Sequence, residues 1–206
     1  MTTNPSTRPR VRATASKERL FEASMHLLGS RSPDAVSVDE IAAAAGVSKG
    51  TVYYNFGSKE ELVSQILSFG AQKLLDELSS AAKDADAYVA LKRMCEVAMD
   101  FVATYPSFAQ LWLQNQLWAQ QDEPGQFLSL HAQITDLIIQ VFDRLVVLDE
   151  AEKLPLAAAL FGAAMFTSRL RTAGRTALGR DQTVLAVMSA VDGMLATHRR
   201  VGSASS

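Results

Sequence analysis

Residues 37–59 read SVDEIAAAAGVSKGTVYYNFGSK, and the fold follows from how this stretch is broken into helices. Ser37 and Glu40 have the spacing of a capping box, and Val38, Ile41, Ala42 and Ala45 recur at i, i+3, i+4 and i+7, so a short amphipathic helix is predicted. Gly46 falls where the chain must leave that helix through a left-handed conformation, and Val47 supplies an apolar plug beneath the turn. Ser48 caps a second helix almost at once. A turn this tight makes the two helices cross steeply, and small Ala42 lets them approach. In the second helix Val52 and Phe56 define the buried side. At about 100° per residue, Gly50, Thr51 and Tyr54 face the other way, with Tyr53 on the flank. The pattern is a helix-turn-helix whose outer face is small, polar and aromatic. Glycine costs roughly 1 kcal/mol against alanine in a helix, so Gly50 calls for a reason, and a DNA strand pressed against the backbone would be one.

The run AAAAGVSKGTVYYNFGSKEEL, residues 42–62, resembles the DNA-binding signature of the tetracycline-repressor (TetR) family of bacterial regulators. The match is dense over residues 37–62; beyond about residue 75 it is one of layout. The resemblance implies an N-terminal three-helix DNA-binding unit, a larger helical effector domain and a homodimer. Ser32-Pro33 depart from the glycine and aromatic usual in the family after the first helix. By the same resemblance Ser48, Lys49, Tyr53 and Lys59 look like contacts to the DNA backbone, and Thr51 and Tyr54 look placed for base edges. Ser37, Val38, Gly50 and Asn55 complete the candidate face. In the N-terminal segment, Arg10 and Arg12 alternate with uncharged residues, either as an arm for the minor groove or as a solvated tail.

Composition narrows the classes. The 206 residues, 48% hydrophobic, suffice for a sizeable core. A single cysteine, Cys95, rules out an intrachain disulfide and fits a reducing bacterial cytoplasm, beside the nucleoid for a DNA-binding protein. No secretory signal is expected, and the longest uncharged apolar run, between Lys153 and Arg169, is short of the roughly 20 residues of a membrane span. The net charge of -2 speaks against nonspecific coating of nucleic acid, although residues 1–60 carry eight Lys and Arg against six Asp and Glu.

The expected organisation is all-α with about nine helices: a flexible basic arm over 1–14, a helix-turn-helix domain over 15–60, a ligand-binding and dimerisation domain over 61–201 and a disordered tail over 202–206. Helix one is predicted over 16–28, with Leu20, Phe21, Ser24, Leu27 and Leu28 inward and a loop at Gly29, Ser32 and Pro33. A second capping box, Ser58 with Glu61, opens a long helix towards residue 82, along which any mechanical link between the domains must pass. Five more helices are expected: 88–104, one restarted by Pro106, one carrying the stripe from Ile134 to Leu145, then 154–172 and 181–199. Loops are expected at 121–126 and 174–179, with a polar break at 149–153.

In the second domain Met94, Phe101, Phe108, Trp112, Trp118, Phe142, Met165 and Phe166 are the candidates for an apolar effector pocket, with His131 or Arg169 as its polar handle. Each is also a plausible core residue. Small residues on the last two helices suggest a four-helix dimer interface through Ala158, Gly162, Met165, Val187, Val191 and Met194, the alternative being that these helices complete the monomer core. Enzyme motifs do not survive: Gly46 to Gly50 matches G-x-S-x-G without the preceding strand a nucleophile elbow needs, and no metal-ligand spacing or cofactor site is found. The sequence therefore reads as a repressor on double-stranded DNA with a palindromic operator, released by a small hydrophobic effector, with no membrane partner. The other readings are an activator or effector-independent regulator and, further off, a ligand-sequestering protein or an enzyme.

Overall fold

The computed structural model describes residues 8–31, 35–118, 126–172 and 179–198. Nine α-helices run through these residues: α1 (Arg8–Ser30), α2 (Val38–Ala44), α3 (Lys49–Phe56), α4 (Lys59–Ala81), α5 (Ala87–Thr104), α6 (Pro106–Trp118), α7 (Gln126–Leu145), α8 (Glu150–Thr172) and α9 (Arg180–Thr197).

The local signals of the first domain act as their chemistry dictates. Glu40 N–H donates to Ser37 Oγ at 3.2 Å, and Ser37 N–H donates to Glu40 Oε2 at 2.9 Å, which closes the capping box of α2. Arg31, just past α1, pairs with Glu40 at 2.5 Å and donates to the Ala35 carbonyl, pinning the end of α1 to the start of α2. The Arg31 guanidinium, followed by the Ser37 amide, holds the Glu40 carboxyl down at about 2. Gly46 has φ of 62°, and Val47 N–H returns to the Ala42 carbonyl at 2.9 Å. Ser58 caps α4 by accepting from Glu61 N–H at 3.1 Å, while the Glu61 carboxylate turns instead to Gln65 at 2.9 Å.

Several boundaries differ from expectation. Helix α1 begins at Arg8, not near residue 16, so the backbone of 8–14 is helical where a flexible arm was expected. Pro9 lies in a first turn that needs no N–H from it, and the Arg and Ala residues after it favour helix strongly. Gly29 lies inside α1; Ser32 and Pro33 are outside the described residues, as are 119–125, 173–178 and 199–206, on which most of the two expected loops and the expected tail fall, while Gln126 already opens α7. Helix α8 starts at Glu150 and carries Pro155 within it. There Asp149 N–H donates to Glu152 at 3.0 Å and two glutamates occupy the first turn, both of which favour a helix start ahead of the proline.

In the larger domain α5 is central, packed against α4, α7, α8 and α9, and α1 rests on both α4 and α6. Arg144 of α7 reaches the Ala82 carbonyl at 2.8 Å and those of Asp84 and Ala85, satisfying backbone acceptors where α4 hands over to α5. One apolar cluster runs unbroken from Leu20 and Phe21 in α1, through Leu67 and Leu74 in α4, to Val187 and Val191 in α9. No described helix is long and apolar enough to cross a membrane.

The tightest junction is at Gly70 of α4. A Cβ built there would lie 2.6 Å from a carbon of the Phe21 ring (α1) and 2.6 Å from one of the Phe108 ring (α6). Both rings are fully buried, so neither can swing aside into solvent. Gly70→Ala is therefore expected to lower stability by about 1–3 kcal/mol through overpacking, despite alanine's better helix propensity. Urea unfolding checks this; a variant as stable as the parent would show that the rings yield freely.

Candidate nucleic-acid interface

Val52 and Phe56 turn α3 inward, and the rest of the helix is exposed: Ser48, Lys49, Gly50, Thr51, Tyr53, Tyr54 and Asn55 share the outer surface. Tyr54 is 90% exposed, an unusual position for a large aromatic ring. A Cβ at Gly50 would meet nothing within 4 Å, so nothing within the described fold requires glycine there. The face is pre-ordered by its own hydrogen bonds. Ser48 caps α3 through Thr51 N–H at 3.2 Å, the Ser48 and Thr51 hydroxyls lie 2.7 Å apart, and Asn55 Nδ2 donates to the Thr51 carbonyl at 2.6 Å. Lys49 Nζ lies 2.5 Å from Asp39 Oδ2 and 5.7 Å from the centre of the Tyr53 ring. Lys59 opens α4, and the N-terminus of a helix favours an anion.

Two of the expected contacts change role. Val38 is buried at the start of α2, because its place in the apolar stripe turns it towards the core, so its side chain cannot touch DNA. Ser37 spends its hydroxyl on the capping box with Glu40. Arg10 and Arg12 lie in α1, with side chains outside the described residues. Conversely, a cleft of about 410 Å³ beside α3 brings Ser16 and Lys17 of α1 and Gln65 of α4 next to Thr51 and Asn55. No sequence signal marked these three, since the neighbourhood arises only when α1 and α4 close around α3.

The second domain rearranges the effector candidates. Phe101, Phe108, Trp112, Phe142 and Met165 are buried core, and Met94 borders a narrow apolar cleft of about 20 Å³ together with Leu78, Leu91, Cys95, Ile138 and Phe161. That is room for about one water molecule. Burial pushes the Cys95 thiol up to about 12, far from a reactive thiolate. Phe166 is 58% exposed: its neighbour Met165 points inward, and one residue is about 100° of helix, so Phe166 cannot line the same pocket. Arg169 reaches Gln110 of α6 at 3.4 Å and bridges helices there. The Trp118 side chain lies outside the described residues.

His131, half-buried on α7, lies among aromatic rings. Its ring packs 5.5 Å from Trp112 and 5.7 Å from Phe161, its buried Nδ1 has no hydrogen-bond partner among the described residues, and burial lowers its pKa. From His131 the rings continue without a gap: Trp112 to Phe108 at 5.3 Å, Phe108 to Phe101 at 5.1 Å, Phe101 to Tyr105 at 5.0 Å, and Tyr105 to Phe21 of α1 at 4.8 Å. Tyr105 also donates to Glu22 of α1 at 2.6 Å, and Ser107 donates to the Met25 carbonyl at 2.8 Å. The link between domains thus runs through α6 as well as α4.

The dimer candidates divide likewise. Met165 of α8 and Val187, Val191 and Met194 of α9 are buried in their own subunit, because the most apolar stripes of both helices are taken by the monomer core, whereas Ala158 and Gly162 are exposed. The outward face of these helices also carries Leu154, Phe166, Leu170 and Leu185, the last 66% exposed. Between α8 and α9, beside Phe142 of α7, lies an apolar groove of about 240 Å³ floored in part by Val191 and Met194.

Known proteins share this arrangement. The family model for bacterial regulatory proteins of the tetR family matches residues 16–66, which span α2, α3 and the parts of α1 and α4 that hold them. The HTH-type transcriptional repressor Rv3405c of Mycobacterium tuberculosis is 32% identical over 206 residues, covering 96% of this chain and all of the relative. A TetR-like regulator from Rhodococcus sp. RHA1 superposes with a TM-score of 0.66 at 20% identity, over 88% of this chain and 96% of the other. The TetR family regulator PfmR of Thermus thermophilus gives 0.65 at 22% identity, over 86% and 97%. With an exposed recognition helix set on a helical domain, and a repressor matched along its whole length, the chain belongs to the TetR family of DNA-binding transcriptional regulators.

Proposed function

We propose that this regulator is a homodimeric repressor that sets α3 of each subunit in successive major grooves of a palindromic operator, about 34 Å apart, and leaves DNA when a small apolar effector binds its second domain. The observation that carries the DNA contact is Gly50: on a helix exposed along one side, a residue that disfavours helix stands where its own fold leaves open space. A DNA backbone filling that space explains it. Lys49, Tyr53 and Lys59 then flank the approach as phosphate contacts, and Thr51 and Tyr54 face the bases.

Dimerisation is assigned to the outward faces of α8 and α9, where Leu154, Phe166 and Leu185 stand exposed beside Ala158, Gly162 and Gly193. A Cβ at either glycine meets nothing within 4 Å, which leaves hollows for a partner's side chains. The effector is assigned to the cleft between α4, α5, α7 and α8, widened around His131. A buried, unpaired imidazole nitrogen costs about 1–3 kcal/mol, which a ligand hydroxyl or amide would recover. A ligand wedged beside Trp112 would shift the ring column that ends on Phe21, and so the setting of α1 against α3.

Gly50→Ala is expected to raise stability by a few tenths to about 1 kcal/mol while weakening operator binding at least about tenfold, as read by thermal unfolding and fluorescence anisotropy on a site selected from a random duplex pool. Unchanged affinity would sink the close-approach reading. Phe166→Glu is expected to give a monomer in analytical ultracentrifugation; a variant that sediments as a dimer removes α8 and α9 from the interface. A panel of aromatic compounds bearing a hydroxyl should quench tryptophan fluorescence and release DNA from the parent chain but not from His131→Phe. If no compound does either, the effector reading is abandoned.

A further inference from the structure

The DNA-facing surface contains an ion pair that works against its purpose. Lys49 is the first residue of α3, and its ammonium lies 2.5 Å from a carboxylate oxygen of Asp39, in the first turn of α2. On its other side is the Tyr53 ring, 5.7 Å away. The neighbouring carboxylate, Glu40, is already engaged by Arg31, Ser37 N–H and the Ser37 hydroxyl. Asp39 does not cap α2, since Ser37 does. Both side chains are half exposed or more, so the pair adds little to stability.

A lysine adds to DNA affinity by neutralising a phosphate and releasing a condensed cation. A lysine that arrives already neutralised releases less. To contact a phosphate, Lys49 must either leave Asp39 or bring that carboxylate against the polyanion, and both oppose binding. We propose that Asp39 is an intramolecular counter-ion for Lys49 that competes with the DNA backbone and so limits the regulator's hold on DNA of any sequence. This rests on the reading of α3 as the recognition helix. The consequence is biological: backbone contacts dominate nonspecific binding, and a regulator with a weaker backbone hold is less depleted by bulk genomic DNA before it finds its operator.

The test is a mutant cycle on the full chain: parent, Asp39→Asn, Lys49→Ala and the double variant. Binding is read by fluorescence anisotropy from about 50 to 200 mM salt, on the selected operator and on a non-operator duplex of equal length. Asp39→Asn is expected to tighten binding to both duplexes roughly two- to tenfold at about 100 mM salt, and to steepen the slope of log K against log salt by about 0.9, one phosphate's worth. In the Lys49→Ala background the same substitution should change neither quantity appreciably. Equal tightening in both backgrounds would mean that Asp39 acts only through its general field, and overturns the proposal. So would unchanged or weaker binding by Asp39→Asn, the mark of a carboxylate that aims Lys49 at the phosphate. A parent chain that binds no duplex at all overturns the DNA-binding reading itself, and the proposal with it.

Discussion

The packing of Phe21 and Phe108 across the bare backbone of Gly70 is the contact on which the molecule's layout depends. Three helices meet there: α1 from the DNA-binding unit, α4 from the boundary and α6 from the second domain. Removing one side chain from α4 lets two rings from opposite sides share a space that even a methyl group would fill, with their centroids 6.5 Å apart. Because protein interiors are close-packed, a shift of either ring is passed on to its neighbours. The two functional halves of the chain are therefore one continuous core at this point and not two bodies joined by a linker.

Around that apolar junction lies a polar layer that fixes its rotation. Tyr105, at the end of α5, donates to Glu22 of α1 and receives from Lys73 of α4 at 3.3 Å, and Lys73 in turn lies near Glu18 and Glu22. Burial, followed by the hydrogen bond to Glu22, pushes the Tyr105 hydroxyl's pKa up. The buried Ser107 bond to the Met25 carbonyl ties α6 to the last third of α1. Directional bonds at the rim and rings at the centre make the seating of α1 on α6 specific.

The recognition unit is built on a different principle. Helices of seven and eight residues are too short to be stable alone, and α2 and α3 hold because each end is satisfied: Ser37 and Glu40 at one start, Ser48 at the other, Gly46 and Gly57 with positive φ where the chain turns. These bonds are all between residues a few positions apart. The inward anchors, Ile41, Val52 and Phe56, then seat the pair against α1 and α4.

That difference in range separates what was legible in the chain from what was not. Caps, the Gly46 turn, the exposed face of α3 and the all-helical class rest on contacts within about four residues, so residue type and spacing determined them, and the dense match over residues 37–62 was readable for the same reason. The start of α1 at Arg8 and of α8 at Glu150 also lay in local chemistry, where the basic segment over 1–14 and the polar run over 149–153 were misleading because they contain good helix formers. Which apolar residues face a ligand, a partner or the core was not local. Met165 and Phe166 are adjacent and alike in hydrophobicity, yet one is buried and the other turned outward, and Val187 and Val191 went to the monomer core while Leu185 did not. A helix's apolar stripe states that something must cover it; only the packing of α5, α7, α8 and α9 decides what, because burial depends on the distances between helices and not on the order of residues within one.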